Sequence, residues 1–251
     1  MRFAPIFKYR MRDCLFSGGV VMLVMVVMTV LSYFGIVTFG GYEESVDGVV
    51  TERFATMNFT MPYVIFMFVV GIVTIREDMR IGIQNGAGRT TSFLANLACQ
   101  AATALLLNLN CLVFYKLWAL LDTELIIIDL YSMAFLHEMT PDTLGEMLMC
   151  FITGTAASLA LAGCGVMLSL VYWRLGKAGK WILSLGMGAA FILFINAAVG
   201  CDWLSRALTD FFVWVVKAPL NMDVFFLALA AVFFGIGRAV TLKNPITAAT
   251  A

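Results

Sequence analysis

Charge is what this chain has least of. Of its 251 residues only 13% are Asp, Glu, Lys or Arg, while 62% are hydrophobic. A water-soluble globule of this size has no interior large enough for so much apolar side chain, so the composition points to an integral membrane protein. Histidine is almost missing as well, its one copy being His137. An intramembrane metalloprotease needs several metal ligands, and that inventory is lacking. The helix serines, Ser158 among them, have no histidine partner outside a loop, which argues against a Ser/His nucleophile. There is no G-x-x-x-x-G-K-[ST]; the glycine-rich stretch Gly86 to Thr91 lacks the lysine and follows no predicted strand. If ATP drives this protein, another subunit binds it. The six cysteines, at 14, 99, 111, 150, 164 and 201, form no C-x-x-C and read as small, soft apolar residues. No catalytic, cofactor or metal site is expected in the chain, and it is not expected to be an enzyme.

What is present is a series of uncharged runs: Cys14 to Tyr42, Phe54 to Ile75, Thr90 to Tyr115, Met147 to Trp173 and Trp181 to Cys201. Each reaches the roughly 20 residues that cross a ~30 Å hydrocarbon core. A sixth run, Val224 to Gly237, extends to Leu242 if Arg238 snorkels to the interface. The expectation is one membrane domain, residues 1–251, all-α, with six transmembrane helices near 17–40, 60–76, 92–118, 147–172, 181–200 and 223–241. The N-terminal run is too long for a signal peptide h-region and no A-x-A follows it, so residues 1–13 read as a basic interfacial helix leading into the first span.

Charge also orients the chain. The segments 1–13, 76–89, 174–180 and 238–251 carry twelve of the sixteen Lys and Arg and only Asp13, Glu77 and Asp78 among the acids. By the positive-inside rule both termini face the cytoplasm. On the outer side, Leu121 to Glu146 includes the apolar but interrupted LIIIDLYSMAFLHEM, expected in the interface or over the helix ends. Asp202 to Asp223 alternates aromatic and charged residues and suggests a short re-entrant helix before the last span. Asn58-Phe59-Thr60 matches a glycosylation sequon and is read as chance.

Two patterns inside the helices stand out. In the third span Ser92, Asn96, Gln100, Thr103 and Asn110 fall within an arc of roughly 80°. Such a stripe has to face protein or a watery path, because unsatisfied amides in lipid are costly. Asn96, Gln100, Thr103 and Asn110 are therefore candidates for a substrate path or a subunit interface, with interhelical hydrogen bonding as the simpler role. In the fourth span Gly154, Ser158 and Ala162 recur at every fourth position, followed by Gly163 and Gly165, a spacing that lets helices approach closely. Asn196 in the fifth span reads as a structural polar group.

Between the second and third spans, Ile75, Met79 and Ile83 repeat at i, i+4 and i+8, with Arg76 and Arg80 on an adjacent line. Glu77 and Asp78 sit toward the helix start, Gly86 and Gly88 supply a stop, and Thr90, Thr91 and Ser92 are candidate N-caps. The expectation is a short cytoplasmic helix followed by a turn. At REDMRIGIQNGAGRTT, together with the basic lead-in Met1 to Asp13 and DWLSRALTDFFVWVV before the last span, the chain resembles the permease subunits of type 2 ABC transporters. The resemblance implies a coupling helix, here Arg76, Glu77, Asp78, Met79, Arg80 and Ile83, with Gly86, Gly88 and Arg89 matching the family's pattern of acids, glycine and arginine.

What the resemblance further implies is a multi-pass permease in the plasma membrane of a bacterium that exports or extracts an amphipathic or hydrophobic peptide, lipid or drug. Separate cytoplasmic ABC ATPase subunits would hold ATP and Mg and dock on the coupling helix. A second permease subunit, identical or paralogous, would complete the path within the lipid bilayer; no nucleic-acid partner is expected. The alternatives are a non-transporting immunity or signalling protein, or an ion-coupled secondary carrier. The carrier is disfavoured because the cores of the first five predicted spans lack ionisable residues.

Overall fold

A computed structural model describes residues 3–34, 36, 41–46, 49–119, 125–136, 141 and 143–243. Among the described residues there are eight helices and three strands: α1 Phe3–Tyr33, β1 Gly41–Val46, β2 Val49–Asn58, α2 Thr60–Gln84, α3 Arg89–Ala119, β3 Leu125–Ile128, α4 Leu130–Phe135, α5 Leu144–Arg174, α6 Lys177–Gly200, α7 Asp202–Lys217 and α8 Pro219–Lys243. His137, the first two residues of the basic lead-in and residues 37–40 of the expected first span lie outside the described residues.

Five helices, α1, α3, α5, α6 and α8, are long and apolar enough to cross a membrane, as befits a helical membrane protein. The sixth expected span is α2, and its reach is shorter than the charge-free run suggested. Residues 54–58 belong to β2, so the uncharged part of the helix is Thr60 to Ile75. At ~1.5 Å per residue that stretch covers roughly 24 Å, less than the ~30 Å core.

Three other expectations are corrected. The basic lead-in is not a separate helix: α1 runs unbroken for 31 residues from Phe3, since nothing between Asp13 and Gly18 interrupts the backbone ladder. The chain is not all-α, because the first two segments expected on the outer side form a small sheet in the order β1-β2-β3. β1 pairs antiparallel with β2, Gly41 opposite Ala55, and β3 pairs parallel with β2, Ala55 opposite Leu125. Finally, the residues before the last span form one uninterrupted 16-residue helix, α7. The chain reverses only at Ala218, with Pro219 opening α8, a position where a missing N–H is harmless.

The bundle is organised around α5. Its two main partners are α2 and α8, while α3 packs beside α2 and α5 and carries α1 on its other flank. At the α2–α5 crossing Gly71 and Gly165 face each other: a Cβ on Gly165 would lie 3.0 Å from the Ile72 nitrogen and 3.2 Å from the Gly71 Cα, and would collide with the Phe68 carbonyl. Ser169 Oγ donates to the Ile72 carbonyl at 2.7 Å across the same contact. Gly154, Ser158 and Ala162 are all buried, so the small-residue face predicted for this helix is its packing face. On the α8 side, Gly163 lies against Phe233 and Phe234.

Helix ends are set by local chemistry. α5 opens with a capping box, Thr143 Oγ1 accepting from the Glu146 N–H and Glu146 Oε2 accepting from the Thr143 N–H. Asn58 Oδ1 accepts from the Met61 N–H at 2.9 Å at the start of α2, which gives the sequon asparagine a structural task. α6 differs from the rest. None of its apolar window is buried, and Trp181, Ile182, Leu185, Phe191 and Leu193 all face outward.

The crossing makes a direct prediction. Gly165→Ala should destabilise the protein by about 1–3 kcal/mol through overpacking against α2. Gly235→Ala, where a Cβ meets nothing within 4 Å, should be neutral or stabilising by up to about 1 kcal/mol. Thermal unfolding of the two variants in the same detergent checks the contrast.

Candidate functional site

At the end of the bundle formed by the start of α1, the end of α2 and the start of α3, the sequence leaves one carboxylate with no exposed side to turn to. Asp78 is 6% exposed. On α2 the buried positions Thr74, Ile75, Asp78, Met79 and Gly82 share one face, so an aspartate here enters the bundle and must find partners. Arg10 of α1 supplies the charge, with Nε 3.0 Å from Asp78 Oδ2. The N–H is not aimed at the oxygen, so this is a charge contact more than an aligned hydrogen bond. Asn96 of α3 supplies the hydrogen bond, Nδ2 donating to the same Oδ2 at 2.5 Å. Gln100 Nε2 in turn donates to Asn96 Oδ1 at 2.9 Å, and Thr74 Oγ1 lies 3.4 Å from Asn96 Nδ2. One network thus ties three helices together.

Asp78 lies beyond the apolar part of α2, and its ionisation is contested. Burial pushes its carboxyl up to about 6; Arg10 and Asn96 pull it down but do not overcome the lost hydration, and Glu77 and Asp13 add to the rise.

The chain leaves α2 through a glycine-dependent turn. Gly86 has φ 72, its N–H donates to the Ile83 carbonyl and the Ala87 N–H to the Gly82 carbonyl, each at 2.9 Å. This is the Schellman arrangement, which satisfies the last carbonyls of a helix and needs a left-handed residue. The predicted glycine stop is therefore present. α3 starts at Arg89, so Thr90, Thr91 and Ser92 fall inside its first turn and are not its N-cap. Ser92 packs tightly against Gly82 of α2.

The residues expected to form a coupling helix divide into two sets. Arg76, Glu77, Arg80, Gly86 and Gly88 are exposed, and Ile83 and Arg89 are half-buried. Met79 is 0% exposed and sits in the hydrophobic core with Ile75. Together with Asp78 it cannot be the outward contact that the i, i+4 pattern suggested. Because α2 continues without a break from Thr60 to Gln84, the apolar line of Ile75 and Met79 extends the core-facing side of the same helix. Arg76 is held over the Trp173 ring of α5, 5.6 Å from its centroid.

The polar stripe of α3 faces protein along its length. Asn96, Gln100 and Thr103 are buried and half-buried Asn110 donates to Tyr63 Oη at 2.8 Å. Asn96 and Asn110 have partners on α2, as the interhelical role requires, whereas Gln100 donates to Asn96 and Thr103 to the Cys99 carbonyl within α3; Gln100 Oε1 is left without a hydrogen-bond partner. Two members of this polar interior escaped sequence reasoning. Arg10 was hidden among Lys8 and Arg12, yet in a continuous helix it lies four residues before buried Cys14 and eight before Gly18. Asn108, 1% exposed, lies about 80° beyond the edge of the stripe; its Nδ2 reaches the Ala104 carbonyl and Ser158 Oγ of α5. Asn196 bonds within its own helix, to the Ile192 carbonyl.

Among the described residues no group of three or more His, Cys, Asp or Glu side chains is placed to hold a metal ion. Comparison with protein-family models, with curated proteins and with solved structures returned no match.

Two measurements probe the network. Arg10→Leu leaves the Asp78 carboxylate buried without its cation and should cost about 3–5 kcal/mol at neutral pH, most of it recovered in the Arg10→Leu, Asp78→Leu double variant; thermal melting reports both. The pH dependence follows from the raised Asp78 pKa. The folded chain holds that proton more tightly than the unfolded chain, so the contribution to stability is full below the ordinary value of 3.8 and is lost as pH rises through about 6. Relative to Asp78→Asn, the wild-type melting temperature should therefore rise as pH is lowered from about 7 to about 5.

Proposed function

We propose that this chain is the membrane-spanning permease subunit of an ATP-driven ABC exporter for an amphipathic or hydrophobic substrate. In this reading α2 is the sixth span, the end bearing Arg10 and the α2–α3 turn is cytoplasmic, and separate ATPase subunits that hold ATP and Mg dock on that turn. The observation that supports it is the arrangement of α2 over its last two turns. Its outer side offers Arg76, Glu77, Arg80 and the glycines Gly86 and Gly88, while its inner side is fastened through Asp78 to α1 and α3. A push on the turn then reaches three helices at once, which is what converting ATPase closure into helix motion requires.

The second permease subunit of this reading, identical or paralogous, has a natural place at α6. That helix exposes large apolar side chains, and none of its apolar window is buried within one chain. A second reading, an ion-coupled carrier, is favoured by one observation: Asp223 of α8 is buried in the bundle and accepts from Thr153 Oγ1 of α5 at 2.6 Å. Transport that follows a proton or sodium gradient without ATP would select it.

Charge reversal at the outer set, Arg76→Glu with Arg80→Glu, should weaken copurification of a P-loop ATPase by about tenfold or more, since like charges across a docking surface cost several kcal/mol. Vanadate-sensitive, substrate-stimulated ATPase activity of the complex should fall in parallel. Unchanged copurification and activity would reject the docking surface.

A further inference from the structure

One turn deeper into the bundle than the Arg10 network, α1 and α3 bring three sulfur atoms together. Cys14 is 3% and Cys99 0% exposed, and both are free thiols. Cys99 Sγ lies 3.8 Å from Met11 Sδ, and buried Cys14 lies on the same α1 face, between Met11 and Gly18, where a Cβ on Gly18 would meet Thr103 and Leu107 of α3, so Cys14 faces α3 beside Cys99. Met11 and Cys14 are three residues apart on α1, so both project toward the same side of the helix, and Cys99 meets them from α3. Thr103 lies beside Cys14 and donates its hydroxyl to the Cys99 carbonyl at 2.9 Å, and Arg10 and Asp78 act on both thiols through their charges.

This geometry fits a particular class of ion. A metal bonded to three sulfurs in a plane at about 2.3 Å separates neighbouring sulfurs by about 4 Å, close to the separation that Cys99 and Met11 already have. Thiolate and thioether together are soft ligands, the set that favours Cu(I) over hard cations. Cys14 and Cys99 are buried and Met11 half-buried, and the nearby Asp78 carboxylate is already engaged by Arg10 and Asn96. Charge is compatible too: binding displaces both thiol protons, a monovalent cation on two thiolates carries one net negative charge, and Arg10 lies near enough to offset it.

We propose that Met11, Cys14 and Cys99 form a three-sulfur site for a soft monovalent metal ion, Cu(I), that clamps α1 to α3. The site is independent of the transport reading. It needs no ATPase partner and no substrate. Its consequence is mechanical, because the clamp sits next to the Asp78 network and would stiffen the same helix pair.

The test uses the full chain in nanodiscs under anaerobic, reducing conditions, titrated with Cu(I) against a chromophoric Cu(I) chelator. Wild-type protein should take up one ion per chain. Cys14→Ser with Cys99→Ser should abolish that uptake, and Met11→Leu should weaken it by roughly tenfold or more. A variant with Ser at positions 111, 150, 164 and 201 should keep it. A second measurement needs no variant: bound Cu(I) should protect Cys14 and Cys99 of the wild-type chain from alkylation, while Cys201, exposed, continues to react. No uptake by the wild-type chain, uptake that survives loss of Cys14 and Cys99, or alkylation of both cysteines at an unchanged rate would each overturn the site.

Discussion

The carboxylate of Asp78 has to be satisfied inside the protein, and satisfying it fixes the places of three helices. A buried charge without partners costs several kcal/mol, so the pairing with Arg10 and Asn96 works as a constraint on where α1 and α3 can lie against α2. It acts at one end of the bundle only. At the opposite end α1, α2 and α3 are joined through the small sheet, in which β2 leads into α2 and β3 follows α3. The three helices are therefore tied at both ends, with the polar stripe of α3 and apolar side chains packed between.

Elsewhere the fold depends on backbone proximity. Apolar helices gain little from leaving lipid for each other, so close van der Waals contact and a few hydrogen bonds have to supply the preference. The Gly71–Gly165 crossing, the Ser169 bond to the Ile72 carbonyl and the seating of Gly163 against two phenylalanines provide that for α2, α5 and α8. α6 touches α5 through the Tyr172 and Ser184 hydroxyls, but none of its apolar window is buried and it stays at the edge. Burial thus separates a tightly packed core of α2, α3, α5 and α8 from a peripheral α6 and α7. The proposed function uses both parts, the core for transmitting motion and the edge for a second subunit.

Much of the membrane-facing architecture was legible because it rests on averages. Run lengths, the small-residue face of α5 and the helix-then-glycine signal at Gly86 each need only local sequence, and the structure places them where their physics requires. Two of the errors have one common source, which is continuity along the backbone. Splitting a lead-in from α1 hid Arg10, since its phase against Cys14 and Gly18 has meaning only if the helix is unbroken. Treating Ile75 to Gln84 as its own helix turned Met79 outward, whereas the unbroken α2 turns it into the core. The paired strands β1 and β2 had a signal in their strand-forming residues, but the charges among them made the segment read as a loop.

Hydrophobicity and charge, which act residue by residue, were enough to specify a helical membrane protein, the positions of five long apolar helices and the polar character of α3. Which polar side chains meet is a different kind of fact. Arg10, Asp78 and Asn96 are 68 and 18 residues apart in the chain, and Met11, Cys14 and Cys99 are brought together by the same docking of α1 on α3. No local pattern encodes those distances. They follow from rigid helices whose mutual rotation is fixed only once glycine contacts, buried charge and the strand pairing are satisfied together.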